Sequence, residues 1–281
     1  MSTLDLPTSY PRSHWRLIIQ EPLDGATNMA VDEAIAEHVG AGQVPPTLRF
    51  YAWKPACLSL GYAQPISDVD YERLRLQGWD VVRRLTGGRA ILHVDELTYS
   101  VTAPLDEPRV KGGVIESYRR LSQGLLSGLQ DLGALVHAER TDRTSRGAHG
   151  PVCFEVPSDY EITAQGKKLL GSAQTRRFGT VLQHGALPLH GDITRICDAL
   201  AFAEQSEREK ARERVRRRAI TLEEALDDRL GLEQVASALA KGFSQALNLE
   251  LEESPLSASE QERTVELRAI KYASSEWTER H

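Results

Sequence analysis

A cysteine, a lysine and a Gly-Ser turn share one stretch at 153–189, C-F-E-V-P-S-D-Y-E-I-T-A-Q-G-K-K-L-L-G-S-A-Q-T-R-R-F-G-T-V-L-Q-H-G-A-L-P-L. Acyl transfer needs these groups. A thiolate attacks thioesters well, and nearby cations activate it; Lys167, Lys168, Arg176 and Arg177 supply such cations. Cys153 follows the Gly/His/Pro-rich run 146–151, where a side chain is readily presented to a cleft. Cys57, in C-L-S-L-G, and Cys197, in I-T-R-I-C-D-A-L, read instead as small buried hydrophobes. Strand alternation sets Lys167 and Lys168 on opposite faces. One of them can then point inward, where burial lowers a lysine's pKa and suits it to proton transfer or to orienting a carbonyl. Two exposed turn lysines are the plainer reading of the same pair.

The stretch 83–93, R-R-L-T-G-G-R-A-I-L-H, adds a glycine turn flanked by cations. Backbone N–H groups at Gly87 and Gly88 could approach an acyl carbonyl or a phosphate, although an ordinary hairpin turn also uses such a pair. Those near Gly171, Ser172 and Ala173 are a second candidate oxyanion site, where one donor is worth on the order of 3 kcal/mol. Arg83, Arg84 and Arg89, with Lys167 and Lys168, would form a basic mouth suited to a phosphate or an acidic carrier domain. His93 and His184, the latter beside Gly185, have no spaced partner and read first as hydrogen-bonded structural residues.

Elements that could position these groups follow from periodicity. Strands are expected at 15–19, 47–53, 57–60 and 80–84, with a helix at 28–39 ended by Gly40. The segments 90–93 and 96–103 look like a hairpin, Leu97, Tyr99 and Val101 alternating with Thr98, Ser100 and Thr102. A helix should follow at 114–132. Strand 160–163 should meet 168–173 across the turn 164–167, and 181–189 should close the sheet. The last 80 or so residues read as mostly helical, with an amphipathic helix at about 232–247 that packs on a core rather than forming one. The mixed-charge run 204–218 reads as a solvated helix face, the alternative being a docking surface for an acidic partner.

With 281 residues, 41% hydrophobic, the chain can bury a sizeable core, and no repeat or linker divides it. A single domain is expected over 1–281, its core at about 12–200. No membrane-spanning run or signal-like N-terminus is visible, so a cytoplasmic protein without membrane contact is expected. Three scattered cysteines fit neither a disulfide framework nor a zinc site, so no metal is expected. A net charge of −6 argues against a nucleic-acid binder.

The ordered motifs R-R-L-T-G-G-R-A-I-L-H, D-E-L-T-Y-S-V, C-F-E, G-K-K-L-L-G-S-A-Q-T-R-R and L-Q-H-G-A-L-P-L resemble the biotin/lipoate protein ligase superfamily. Within it the chain is most similar to the cysteine-dependent octanoyltransferases of lipoate biosynthesis. The early N-M-A-V-D-E-A and late K-Y-A-S-S-E-W extend the likeness over nearly the whole chain. The resemblance implies an α+β fold, with a mixed, largely antiparallel sheet flanked by helices around an acyl tunnel. It makes Cys153 the acyl-accepting thiol and Lys168 the contact to the acyl carbonyl. It matches Arg83, Gly87, Gly88 and His93 to the lipoyl-binding loop; substrate binding is also expected at Arg84, Thr86, Arg89, Gly171, Ser172, Ala173, His184 and Gly185. Implied partners are octanoyl-acyl carrier protein as donor and the glycine-cleavage H protein, or another lipoyl domain, as acceptor, with no cofactor. An ATP-dependent lipoate ligase, using ATP and Mg²⁺, is the alternative; ligases typically read G-G-G where this chain has Gly87-Gly88-Arg89. A lipoyl amidotransferase and a silent lipoyl- or carrier-binding module are further alternatives.

Overall fold

The strand at the centre of the molecule alternates as its sequence predicts, yet neither of its faces meets water. In β6 (Glu96–Pro104), Leu97, Tyr99, Val101 and Ala103 enter the largest apolar cluster, while Thr98, Ser100 and Thr102 are equally buried on the other side. The computed structural model, which describes residues 10–139 and 161–280, covers one face of this strand with a helix pair and the other with a helix and a second sheet.

The large sheet runs β11-β1-β2-β6-β10-β9-β8-β7. Its strands are β1 (Ser13–Ile19), β2 (Thr47–Tyr51), β6, β7 (Val136–Glu139), β8 (Glu161–Ala164), β9 (Lys167–Arg177), β10 (Thr180–Pro188) and β11 (Leu249–Glu253). Only the β1–β2 and β1–β11 pairs are parallel. A smaller sheet, β4-β3-β5, comprises β3 (Cys57–Leu60), β4 (Asp80–Arg83) and β5 (Ile91–His93). The fold is thus α+β with a mixed, largely antiparallel sheet, as the resemblance implies.

One expected pairing is overturned. The segments 90–93 and 96–103 are not a hairpin: β5 pairs antiparallel with β3, and the chain crosses to the large sheet at Val94–Asp95, where Asp95 takes φ 49°. Polar alternation on β6 hid this, because its hydroxyl face is covered by α1 (Gly25–Gly40) rather than by solvent. The hairpin at β8–β9 does form, around Gln165 and Gly166, both at positive φ as a two-residue hairpin turn requires.

The C-terminal part also differs from expectation, because it helps build the core. Val235, Leu239, Phe243 and Leu247 of α6 (Leu232–Leu247) join Leu121, Leu125 and Leu129 of α3 (Val114–Asp131) in the principal cluster. β11 then extends the sheet beside β1, so the core does not stop near residue 200. Neither β7 nor β11 was legible: one is short, and the other reads L-E-L-E-E, whose glutamates mask a strand. The two helices cross at glycines. A Cβ on Gly242 would lie 2.3 Å from the Gly128 nitrogen and 2.4 Å from the Gly124 oxygen, distances no side chain tolerates.

Past α7 (Ala258–Leu267), a π-turn and the short α8 (Ser275–Thr278) fold back on α1 and the small sheet. Lys271 and the Tyr272 hydroxyl both reach the buried Glu33 carboxylate. The Trp277 indole donates to the Arg83 carbonyl, and the Arg83 guanidinium returns two bonds to the Thr278 carbonyl. Arg280 lies 3.9 Å from the Tyr62 ring centroid and 3.8 Å from that of Trp277. No described helix is long and apolar enough to cross a membrane.

Gly242→Ala should lower stability by about 1–3 kcal/mol, the range for overpacking a close-packed crossing. Urea denaturation would read the effect, and an unchanged midpoint would contradict the crossing.

Candidate active site

Arg84, on the segment between β4 and the glycine turn, is buried, and all five of its N–H donors have partners. Nε donates to Thr86 Oγ1 at 3.1 Å, one terminal nitrogen to the Ser59 carbonyl and hydroxyl, and the other to the carbonyls of Gly87 and Arg89. The glycine turn is therefore held by its own arginine. Gly61 packs against it so closely that a Cβ there would sit 2.0 Å from the Gly88 oxygen. Gly88 itself takes φ 94°.

Two relays lead away from Arg84. In the first, the Thr86 hydroxyl meets His184 Nε2 at 2.7 Å, and His184 Nδ1 meets Asp32 Oδ2 at 3.3 Å. In the second, the Ser59 hydroxyl meets His93 Nε2 at 2.8 Å, and His93 Nδ1 meets Glu96 Oε1 at 3.1 Å. With each Nδ1 carrying the proton and each Nε2 accepting from a hydroxyl, every donor is matched; this tautomer is assigned from the network. Both histidines thus keep the hydrogen-bonded role expected of them, and both also line a pocket.

Asp32 sits in the otherwise apolar run of α1 and collects Arg49 at 2.8 Å, the Tyr51 hydroxyl at 2.9 Å and Ser100 at 3.0 Å besides His184. Burial pushes its carboxyl up, but Arg49 and His184 together outweigh burial and hold it below the usual carboxylate value. For His93 burial dominates: it lowers the imidazole's pKa, and Glu96 offsets this only in part.

Between the two sheets lies a narrow pocket. Its floor is Ala173 of β9, Gly185 and Ala186 of β10 and Thr98 of β6; Trp53, just past β2, closes the far end and Ile91 roofs it. Trp53 stacks on His93 at 3.9 Å between centroids and donates its indole N–H to Thr98. The pocket thus crosses the large sheet from β9 to β2, three interstrand spacings or roughly 14 Å.

Lys168, near the start of β9 and outside the pocket lining, is 4% exposed, and its Nζ lies 2.8 Å from Glu161 Oε1. The register shifts between Ile162 and Thr163, so Leu169 and Leu170 enter the same core cluster despite being consecutive. Lys168 is the inward lysine of the pair and Lys167 the more accessible one. The burial of Lys168 matches expectation, and Glu161 holds its Nζ.

A family model described as the lipoyl protein ligase A/B catalytic domain matches residues 24–244. The chain belongs to this family. It is 42% identical over 271 residues to Octanoyltransferase LipM of Kyrpidia tusciae, covering 95% of this chain and 98% of that protein. It is 40% identical over 269 residues to Octanoyltransferase LipM of Brevibacillus brevis, covering 94% and 98%. Among solved structures it is similar to a bi-partite lipoate protein ligase studied with its E2 lipoyl domain from Thermoplasma acidophilum. That match has a TM-score of 0.80 and 26% identity, over 95% of this chain and 96% of that one.

Against this lipoyl protein ligase A/B frame, the fold gathers Arg84, His93, Ala173, His184 and Gly185 at the pocket wall, with Thr86 linking two of them. Other candidates lie elsewhere. Arg83 is fully buried and binds the carbonyls of Gly61, Gln64 and Thr278, so it braces a loop. With Arg84 also turned inward, the basic mouth expected from Arg83, Arg84, Arg89, Lys167 and Lys168 is not what these two build. Arg89 is half-buried, and Gly87 and Gly88 are exposed. Gly171 pairs with Ala186 on the β9–β10 ladder. The Ser172 hydroxyl bonds Tyr99 at 2.7 Å on the helix-covered face, away from the pocket. A Cβ on Gly185 would meet that same hydroxyl at 2.5 Å, which is why β10 has glycine there. Cys153 lies outside the described residues, as does most of the segment 138–151; Cys57 and Cys197 are fully buried, as expected.

Sequence reasoning missed Asp32, Arg49, Tyr51, Trp53, Ser59 and Glu96. One signal was available: Asp32 is a charge within an apolar helical stripe, and Arg49, Tyr51 and Trp53 alternate along one strand face.

Arg84→Lys keeps the charge but loses the planar fork. Losing about three hydrogen bonds at roughly 1 kcal/mol each should cost about 3 kcal/mol in urea denaturation; a change under a third of that would contradict the hub role. The pH dependence has a defined sign. His93 is held neutral with a folded pKa below 6.5, so the unfolded chain binds more protons as pH falls below that value. Stability is full above about pH 6.5 and is lost on acidification toward the lower folded pKa. Melting curves from pH 7.5 to 5 should fall less steeply for His93→Gln than for the unsubstituted protein.

Proposed function

We propose that this protein is an octanoyltransferase of lipoate biosynthesis, moving an octanoyl group through a cysteine thioester onto a lysine of a lipoyl domain. The likeness to octanoyltransferases at about 40% identity over nearly the full length of both chains carries this reading. The pocket supports it. An extended eight-carbon acyl chain spans roughly 9 Å at the per-bond rise of an extended chain, less than the roughly 14 Å over which the pocket crosses the sheet. The reaction belongs in the cytoplasm, where thiols stay reduced.

In the proposed mechanism, Cys153 thiolate attacks the carbonyl carbon of an octanoyl thioester on acyl carrier protein. The bond to the pantetheine sulfur breaks, a new thioester forms on Cys153, and the departing thiolate takes a proton. The amine of a lysine on the acceptor, which we take to be the glycine-cleavage H protein, then attacks the same carbon. An amide forms, Cys153 leaves as thiolate, and the attacking nitrogen loses a proton. Lys168, steadied by Glu161, donates a hydrogen bond to the acyl oxygen, while the two histidine relays keep the glycine turn and pocket wall in place. No cofactor enters this scheme.

Intact mass spectrometry after incubation with octanoyl-acyl carrier protein should show one octanoyl adduct, lost on Cys153→Ala. An adduct that survives this substitution, or none on the unsubstituted protein, would refute the thioester relay. Ala173→Leu should narrow the slot and lower kcat/KM for octanoyl transfer by at least tenfold in a coupled transfer assay, with the melting temperature little changed.

A further inference from the structure

The run 204–218 folds as expected, into α4 (Gln205–Arg218), but its charges are unevenly distributed. Toward the start, Arg208 turns inward to the carbonyls of Cys197 and Leu200 and to Asp70, and Arg212 pairs with Asp198. Ala211, Val215 and Ala219 anchor the helix in the cluster that also contains Ile91 and Ala186 of the pocket wall. The last turn carries Arg216, Arg217 and Arg218, all exposed. Among the described residues, neither Arg216 nor Arg217 forms an ion pair, although Arg216 lies within electrostatic reach of Asp192. The helix dipole favours cations there, yet that effect is served within the last turn by a single charge.

The patch is fixed to the catalytic strand. Ala219 forms a parallel bridge with Lys168, and the Ile220 N–H donates to the Lys168 carbonyl at 3.1 Å. Three consecutive arginines therefore lie one to three residues from the Ala219 bridge to Lys168, on a chain whose net charge is −6. A local positive field on an acidic protein selects an anionic partner and speeds its encounter.

We propose that Arg216 and Arg217 dock the acidic face of the carrier protein that delivers the acyl thioester. This rests on the octanoyl-transfer reading. Reach favours the donor over the acceptor. The donor's acyl group arrives on a phosphopantetheine arm of thirteen bonds from sulfur to phosphorus, roughly 15 Å when extended. Its body can therefore sit at the helix end, beside Lys168. The acceptor offers only a lysine side chain, less than half that length, so its body must stand directly over the mouth.

The test is the double reversal Arg216→Glu/Arg217→Glu in the full chain, with Arg216→Lys/Arg217→Lys as the charge-keeping control. Acyl-enzyme formation is followed with octanoyl-acyl carrier protein and, separately, with octanoyl-pantetheine. The reversal should lower kcat/KM for the carrier on the order of tenfold or more, mainly through KM, and flatten its salt dependence. The rate with octanoyl-pantetheine should stay unchanged, as should transfer to the acceptor from preloaded enzyme, and the lysine control should retain carrier activity. Equal slowing with both donors, slowing confined to the acceptor step, or unchanged carrier kinetics would overturn the docking assignment. No adduct from either donor on the unsubstituted protein would instead overturn the acyl-transfer reading, and the docking proposal with it.

Discussion

Much of the site depends on satisfying one buried guanidinium. Arg84 cannot shed its proton, so its five donors must all find acceptors away from water. Two are the carbonyls that bend the glycine turn, one is a strand carbonyl, and the remaining contacts are the hydroxyls that begin the histidine relays. Turn, strand and relays therefore share a single set of bonds. The pocket wall is rigid because no one of them can move without leaving a charged donor unpaired.

The same logic explains the unusual middle of the large sheet. A sheet covered on both faces normally carries apolar residues on both, as parallel sheets do. Here β6 presents hydroxyls toward α1, and α1 answers with Asn28, Asp32 and Glu33, all buried. Each has partners: Asn28 bonds the carbonyls of Leu23 and Ala52, Asp32 gathers four groups, and Glu33 takes Lys271 and Tyr272. A layer of this kind tolerates little slippage, because a shift by one residue would strand several charges at once. Such a layer suits a protein that must keep a narrow slot open between its sheets.

Most elements were legible because their periods were clean: α6 and β3 begin and end where the pattern says, and α3 differs by one residue. The β5–β6 hairpin failed for a physical reason, since alternation cannot distinguish a polar face that meets water from one that meets a polar helix. β11 failed because its glutamates lie at a sheet edge, where charge is tolerated. Within the site, His93 and His184 were legible as lone histidines, and Lys168 as one of a pair of strand lysines. Arg83 and Arg84 were visible too, but sequence could not say that both turn inward, because a guanidinium's partners here are mostly carbonyls, which every residue carries. Asp32 stayed hidden as the end of a relay whose members are far apart in the chain, and Glu96, though only three residues from His93, because it reads as one charge at the start of a strand.

The embrace between Arg83 and Thr278 has a consequence for the order of events during synthesis. Residues 83–89 emerge early, yet two of the carbonyl bonds that seat Arg83 come from a residue almost two hundred positions later. Until that stretch leaves the ribosome, the glycine turn lacks its outer brace and β1 lacks its neighbour β11. The nascent chain can collapse around α1 and the central strands, but the outer brace of Arg83 and the edge strand beside β1 form last.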